Sequence, residues 1–380
     1  MRNIIKVVFL ACSIFSLLSN SLPSYAVAYQ HFYIIGYDNP AALNKVKDLQ
    51  LIMGGTTVFP NFHWSGCDGP ICGTASSHSR YLLPYGRIAK RLTPKIVLGA
   101  DYVSFAQTRI HFPADSVIRF SVIDLVVEDD DFSPRISYAI NQKLAVGAGI
   151  NINRLNNIEV NFAVPPFGQL TNRYYSTALG WNAGVNYALT KTATLNLSYY
   201  SKIIHHGKGT SIWGPFTTRL KGNGPIPAVS TINLVKIFTP KFLMTATARY
   251  IQWGVFSNYV LQNTALGSTI AIPVKYYNSW YWLLLGRYQL NEKWALSSAV
   301  VYETSPQSTP PRVIAFPTDK EWAGFAGVEY EITKQLSTKF VVGHAFSFAN
   351  IHRPSVVSGQ AVGHNNLFGN IFDLSFTLNL

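Results

Sequence analysis

Few stretches of this chain carry residue types that could do chemistry, and none forms a complete constellation. His205-His206 pairs two imidazoles, but no Ser, Asp or third ligand stands at a useful spacing. They read as loop histidines. Gly207-Lys208-Gly209-Thr210 lacks the full phosphate-loop spacing and joins no strand to a helix. Glu128-Asp129-Asp130-Asp131 resembles a cation site only in composition, and a solvated loop, or one bridging divalent ions at the cell surface, fits it better. Cys67 and Cys72 read as a small disulfide loop in an oxidising compartment. A metal pair with His63 and His78 is the alternative, and a single C-x4-C is weak support for it. No catalytic residues, cofactor or metal are expected, so the chemistry to look for is binding.

The positions that must hold such a site are set by an unusual composition. The 380 residues are 48% hydrophobic and 14% aromatic but only 13% charged, against a usual charged share of about 25%. Beyond the N-terminus no run approaches the roughly 18 apolar residues of a helical membrane span. Residues 1–28 look like a secretory signal: Arg2 and Lys6 are followed by the apolar Val7 to Leu18 and by Ala26-Val27-Ala28, a small-x-small cleavage pattern. A lipoprotein signal on Cys12 is the rival, and Cys12 stands too early for it. The formal charge of +13 is not concentrated into an arm for nucleic acid, and contact with anionic lipid head groups is its expected use.

A repeated punctuation gives the architecture. LTPKI (92–96), INQKL (140–144), LTKTA (189–193), FTPKF (238–242), LNEKW (290–294) and ITKQL (332–336) are short Lys-bearing turns between alternating segments. Long connections rich in Gly, Pro and His separate them, near 61–79, 109–130, 158–176, 204–226, 255–276, 304–320 and 348–368. Short turns at one end and long loops at the other are the pattern of a transmembrane β-barrel. The segments agree with this. Leu144, Val146, Ala148, Ile150 and Ile152 alternate with Ala145, Gly147, Gly149, Asn151 and Asn153, and Phe372, Leu374, Phe376, Leu378 and Leu380 alternate with Asp373, Ser375, Thr377 and Asn379. Trp253, Trp280, Trp282, Trp294 and Trp322 near segment ends suit interfacial belts. The expectation is an all-β fold: a transmembrane antiparallel barrel of about 14 strands over residues 48–380, closed because lipid leaves no partner for an open edge.

Several motifs, in order along the chain, resemble the outer-membrane long-chain fatty acid transport protein family (FadL-like). NPAAL (39–43) before LQLIMGGTTVFP (49–60) resembles the family's hatch motif and first strand. SPRISYAINQKLAVGAGININR (133–154), GWNAGVNY (180–187), LNLSYYSKI (195–203), IPAVSTINLVKIFTPKFLMTATARYIQW (226–253) and WYWLLLGRYQLNEKWALSSAVVYETSP (280–306) resemble its successive hairpins. The resemblance implies a monomeric 14-stranded barrel in the bacterial outer membrane, with a short N-terminal hatch (residues 29–47) inside the lumen. Hydrophobic ligands, long-chain fatty acids among them, would be captured outside, bound within, and released sideways into the membrane. Asn39, Pro40 and Ala41 match the hatch motif, and only about ten residues of the processed chain precede them, fewer than is usual in the family.

Candidate site residues follow from parity and position. Asp101, Arg249, Arg287, Glu329 and Glu331 have lumen-facing parity and read as a polar gate or carboxylate anchor, or as charges that fill a lumen. Arg154 and Lys275 flank outer connections, where they would meet a ligand carboxylate or a lipopolysaccharide phosphate. Phe162 and Phe167 belong to apolar stretches that would form a capture groove or simply pack on one another. The third strand, 95–108, is where Gly99, Ala100 and Asp101 would weaken pairing and open the wall. The alternatives to a transporter are an adhesin or structural barrel and, further off, a lipid-active enzyme.

Overall fold

Residues 38–307, 312, 314, 319–355 and 359–380 are described by the computed structural model. The signal segment 1–28 and the first part of the expected hatch, 29–37, lie outside the described residues. The described strands are β1 (Leu49–Asp68), β2 (Ile71–His78), β3 (Tyr81–Arg91), β4 (Ile96–His111), β5 (Asp124–Ala139), β6 (Leu144–Val164), β7 (Gly168–Thr190), β8 (Ala193–Tyr200), β9 (Ile203–Trp213) and β10 (Phe216–Ile226). They continue with β11 (Val229–Thr239), β12 (Phe242–Ile251), β13 (Asn258–Gln262), β14 (Ile270–Pro273), β15 (Ser279–Gln289), β16 (Trp294–Glu303), β17 (Glu321–Glu331), β18 (Leu336–Ser355) and β19 (Gly359–Asn379).

Leaving out β2, β9, β10, β13 and β14, which belong to outer connections, the pairings run in one antiparallel ring from β1 through β3 to β8, on to β11, β12 and β15, and through β19 back to β1. This is a closed barrel of 14 strands. Period-two alternation produces it: Ile150, Leu179 and Trp181 are exposed on the outer face, while Asn151, Asn153 and Asn182 are buried inside. The inward amides join across strands, Asn182 Nδ2 donating to Asn151 Oδ1 (2.8 Å), Asn196 to Asn233 (3.1 Å) and Asn233 to Thr247 (2.7 Å). These bonds meet part of the cost of burying polar groups in the lumen, and the outward face of the wall is mostly apolar.

The short turns all lie at one end, and their first polar residue makes them. Asn141 Oδ1 accepts from the backbone N–H of Lys143 and Leu144 (2.8 and 2.9 Å), and Asn291 does the same for Lys293 and Trp294. The hydroxyls of Thr93, Thr239 and Thr333 accept from Ile96, Phe242 and Leu336, each at 3.0 Å.

The outer connections correct the sequence reading. Segments 158–176 and 204–226 are not loops but projecting hairpins, the first built by β6 and β7 and the second by β9 and β10, with β9 folded back onto β7. Above the membrane these backbones still need partners, and pairing supplies them. Residues 128–131 therefore lie within β5 rather than in a solvated loop. His205 and His206 sit in β9 and face opposite ways, His205 buried and His206 exposed, so they share no ligand. Burial, and then the neighbouring charge of His206, lowers the His205 pKa to about 4, which keeps it neutral. Trp280, Trp282, Trp294 and Trp322 are exposed on the wall, whereas Trp253 turns into the lumen. A disulfide joins Cys67 to Cys72 at the tip of the β1–β2 hairpin.

Candidate functional site

Inside the barrel, residues 38–46 form a compact element against β4, β5, β6 and β7 near the short-turn end. Asn39 caps a short 3-10 helix, Pro40–Lys45: its Oδ1 accepts from Ala41 N–H (2.9 Å) while its Nδ2 donates to Val185 O of β7 (2.7 Å). Pro40 occupies the first helical turn, where its missing N–H costs nothing. Ser137 Oγ donates to Ala41 O (3.1 Å), Tyr200 Oη to Asp38 O (2.6 Å) and Arg91 Nε to Val46 O (2.8 Å). The wall makes room for it: a Cβ on Gly147 of β6 would stand 2.5 Å from Ala41 N. Pro40, Ala41, Ala42 and Leu43 are buried.

The element is also tied down by charge. Asp38 pairs with both Arg87 of β3 and Arg135 of β5. Arg87 donates to the two oxygens of Asp101 in β4 (2.7 and 2.6 Å), and Arg135 stands 2.8 Å from Asp101 Oδ2. Two arginines and two aspartates, all buried, form a cluster with no net charge, the arrangement a low-dielectric interior tolerates. Of the four, only Asp101 was a sequence candidate.

The remaining lumen candidates separate into two places. Arg287 donates through Nε and Nη2 to Glu329 Oε2 (3.0 and 2.9 Å) near the short-turn end. There, with Glu331, Lys45 and Lys47, the pair lines a polar cavity of about 260 Å³. Burial lowers the Lys45 pKa to about 8. Arg249 lies apart, its guanidinium over the Tyr281 ring (5.1 Å), on the wall of a larger lumenal cavity of about 650 Å³ that Glu303 and Glu321 also line.

Beneath the outer hairpins lies the largest hydrophobic cluster of the described residues, built around Trp64, Phe162, Tyr174, Leu220 and Leu261. It encloses a cavity of about 190 Å³ whose lining is mostly apolar, including Phe120, Leu125, Leu155, Ile158, Phe162 and Tyr174. This inner cavity adjoins the 650 Å³ one: Val127, Asp129, Pro225, Ile226, Phe256 and Tyr276 line both. Phe162 thus lies where a ligand would be held. Phe167 does not, being half-exposed at the hairpin tip, with ring centroids 4.9 Å from Trp213 and 5.9 Å from Phe216. Arg154 and Lys275 are exposed and line neither cavity. Asp129 went unrecognised because the acidic run read as loop; its parity within a strand is the signal that would have found it.

The wall itself is interrupted. Tyr81–Pro84 of β3 pair with Gly55–Val58 of β1, but pairing between β3 and β4 stops at Tyr85–Val103. Beyond that point β4 pairs on with β5, after a one-residue bulge at Phe105. Higher up, His111 N–H donates to Ser77 Oγ (3.1 Å), and Ser79 bonds to Arg109 O, so the break is a window with a closed top. Leu83, Ser104, Phe105 and Ala106 at its edges line the 650 Å³ cavity. The break falls within 95–108 but not at Gly99, Ala100 and Asp101, which pair on both sides.

A closed, lipid-faced barrel with an element docked in its lumen, an apolar internal cavity and a side window defines a class, the outer-membrane barrels that handle hydrophobic compounds. The chain belongs to the outer membrane protein transport protein (OMPP1/FadL/TodX) family, whose model matches residues 34–356, and it is a protein of the outer membrane. It is 24% identical over 222 residues to the long-chain fatty acid transport protein of Escherichia coli O6:H1 (strain CFT073), a match covering 52% of this chain and 49% of that protein. The counterpart from Salmonella typhi is 24% identical over 216 residues, covering 52% and 49%. The chain thus spans about half the length of the curated relatives it matches. Its fold is that of a Pseudomonas aeruginosa FadL homologue (TM-score 0.82, 18% identity, 90% of this chain and 93% of that one) and of the P. putida toluene transporter TodX (TM-score 0.71, 15% identity, 90% and 93%).

Proposed function

We propose that this chain carries hydrophobic compounds, with long-chain fatty acids among the candidates, passively across the outer leaflet and releases them sideways into the membrane. The observation that carries this reading is one continuous feature: an apolar cavity under the outer hairpins adjoins a lumenal cavity that reaches a window in the wall. An apolar solute gains about 0.8 kcal/mol per methylene buried in such a lining, and a sideways exit spares it from water. The aromatic cluster of Phe167, Trp213 and Phe216 at the hairpin tips is the capture surface in this reading. Asn39, Pro40 and Ala41 hold the hatch that blocks aqueous leakage beside it, and the surrounding charges, including Arg154 and Lys275, meet lipopolysaccharide. The protein works as a monomer, without cofactor, metal or nucleic acid.

The test is uptake by Gram-negative cells that lack the protein, with and without the gene restored, using radiolabelled oleate and radiolabelled p-xylene at limiting concentration. Restoring the gene raises initial uptake of at least one of them several-fold. Equal uptake with and without it would rule the reading out and turn attention to an adhesin or structural barrel.

A further inference from the structure

The inner cavity carries a charge pattern that narrows what it accepts. Its volume is about 190 Å³, close to that of the roughly 150 Å³ Leu/Ile/Phe-lined cavities that hold benzene. Among its described lining residues Asp129 is the one charged group. Asp129 is 8% exposed and accepts a hydrogen bond from Asn153 Nδ2 (2.7 Å), and no lysine, arginine or histidine pairs with it among the described residues. The basic candidates Arg154 and Lys275 point elsewhere, and Arg249 belongs to the larger cavity, together with Glu303 and Glu321.

We propose that Asp129 makes the inner cavity selective for compact uncharged hydrophobic molecules, of the size of a substituted benzene, over carboxylates of the same shape. A carboxylate held wholly inside would be stripped of water, would find no cation, and would face the Asp129 oxygens at the mouth shared with the lumen. An uncharged molecule pays neither penalty. A longer amphiphile escapes the rule only if it spans both cavities and leaves its head group in the larger one.

This proposal rests on the uptake reading and is tested by binding. The full chain in lipid nanodiscs is titrated calorimetrically with p-xylene and with p-toluate at pH 8, and signals from empty nanodiscs are subtracted. The two ligands differ only in a methyl replaced by an ionised carboxylate. The expected result is that p-xylene binds about 100-fold more tightly, the discrimination an unpaired buried charge imposes. Asp129→Asn, with Asp129→Ala as a second variant, narrows that ratio at least ten-fold by tightening p-toluate binding, while heat-modifiable gel migration shows a folded barrel. Equal binding of both ligands to the parent overturns the selectivity and leaves the uptake reading standing. An unchanged ratio in both folded variants overturns the role of Asp129. Binding of neither ligand, with no gene-dependent uptake of oleate or p-xylene, removes the uptake reading itself.

Discussion

At the scale of single residues, the interior is organised by carboxylates whose partners are distant in sequence. Asp38 meets Arg87 and Arg135 across separations of 49 and 97 residues, which no local motif can reveal. The parity of Arg87 could have been read, since Tyr85, Arg87 and Ala89 of β3 all face inward and are buried. Asp38 was invisible because it precedes the first strand and has no periodicity to place it. Removing one partner from a buried ion cluster costs about 3–5 kcal/mol, and the low end applies here because Asp101 still pairs with both arginines, although the cluster is left with a net charge of +1. For Asp38→Asn, local opening of the docked element should therefore become easier by about 3 kcal/mol, roughly a 100-fold rise in population. Hydrogen exchange read by mass spectrometry should show that acceleration at the amides of Ala41, Ala42 and Val46, which are internally bonded in the parent. The amides of the strand ladders should keep their rates. If Asp38→Asn leaves exchange at 41–46 unchanged, the ion cluster does not hold the element.

At the scale of elements, the wall strands were readable because most alternate buried polar or small residues with exposed apolar ones, and because Asn or Thr opens each short turn. The outer hairpins were not, since above the membrane neither face must be apolar and Gly, Lys and Thr interrupt the alternation in β9 and β10. The window was half readable. Its strand was anticipated, but the break follows from the bulge at Phe105 and from Pro84, which has no N–H to donate to β4, rather than from Gly99 to Asp101. Deleting Phe105 removes the extra residue and lets β4 run in register past Tyr85, so pairing can extend towards Leu83 even though Pro84 donates nothing. We expect hydrophobic uptake to fall about ten-fold, equivalent to roughly 1.4 kcal/mol of added barrier, while the barrel still shows heat-modifiable migration. Parent-level uptake in a folded deletion variant would remove the window from the pathway.

At the scale of the whole molecule, the barrel and the element inside it are separable. Each of the 14 wall pairings is made without residues 38–46, so closure does not depend on what the lumen contains. A 14-stranded ring lies between the 8-stranded barrels that side chains fill and the 16- to 18-stranded ones that leave an aqueous channel. Residues 38–46 and the charged groups around the 260 Å³ cavity occupy the short-turn half. In the proposed reading, the hydrophobic route leaves through the wall before reaching that half. Water and ions would have to cross it. Deleting residues 38–45 should therefore turn a quiet barrel into one that passes steady current in planar lipid bilayers. Deleting Phe105 should leave current at the parent level and lower hydrophobic uptake alone. That crossed pattern is what two routes in one barrel require. If both variants change current and uptake in proportion, ligand and water share a single path through the lumen, and the element at 38–46 rather than the window controls both.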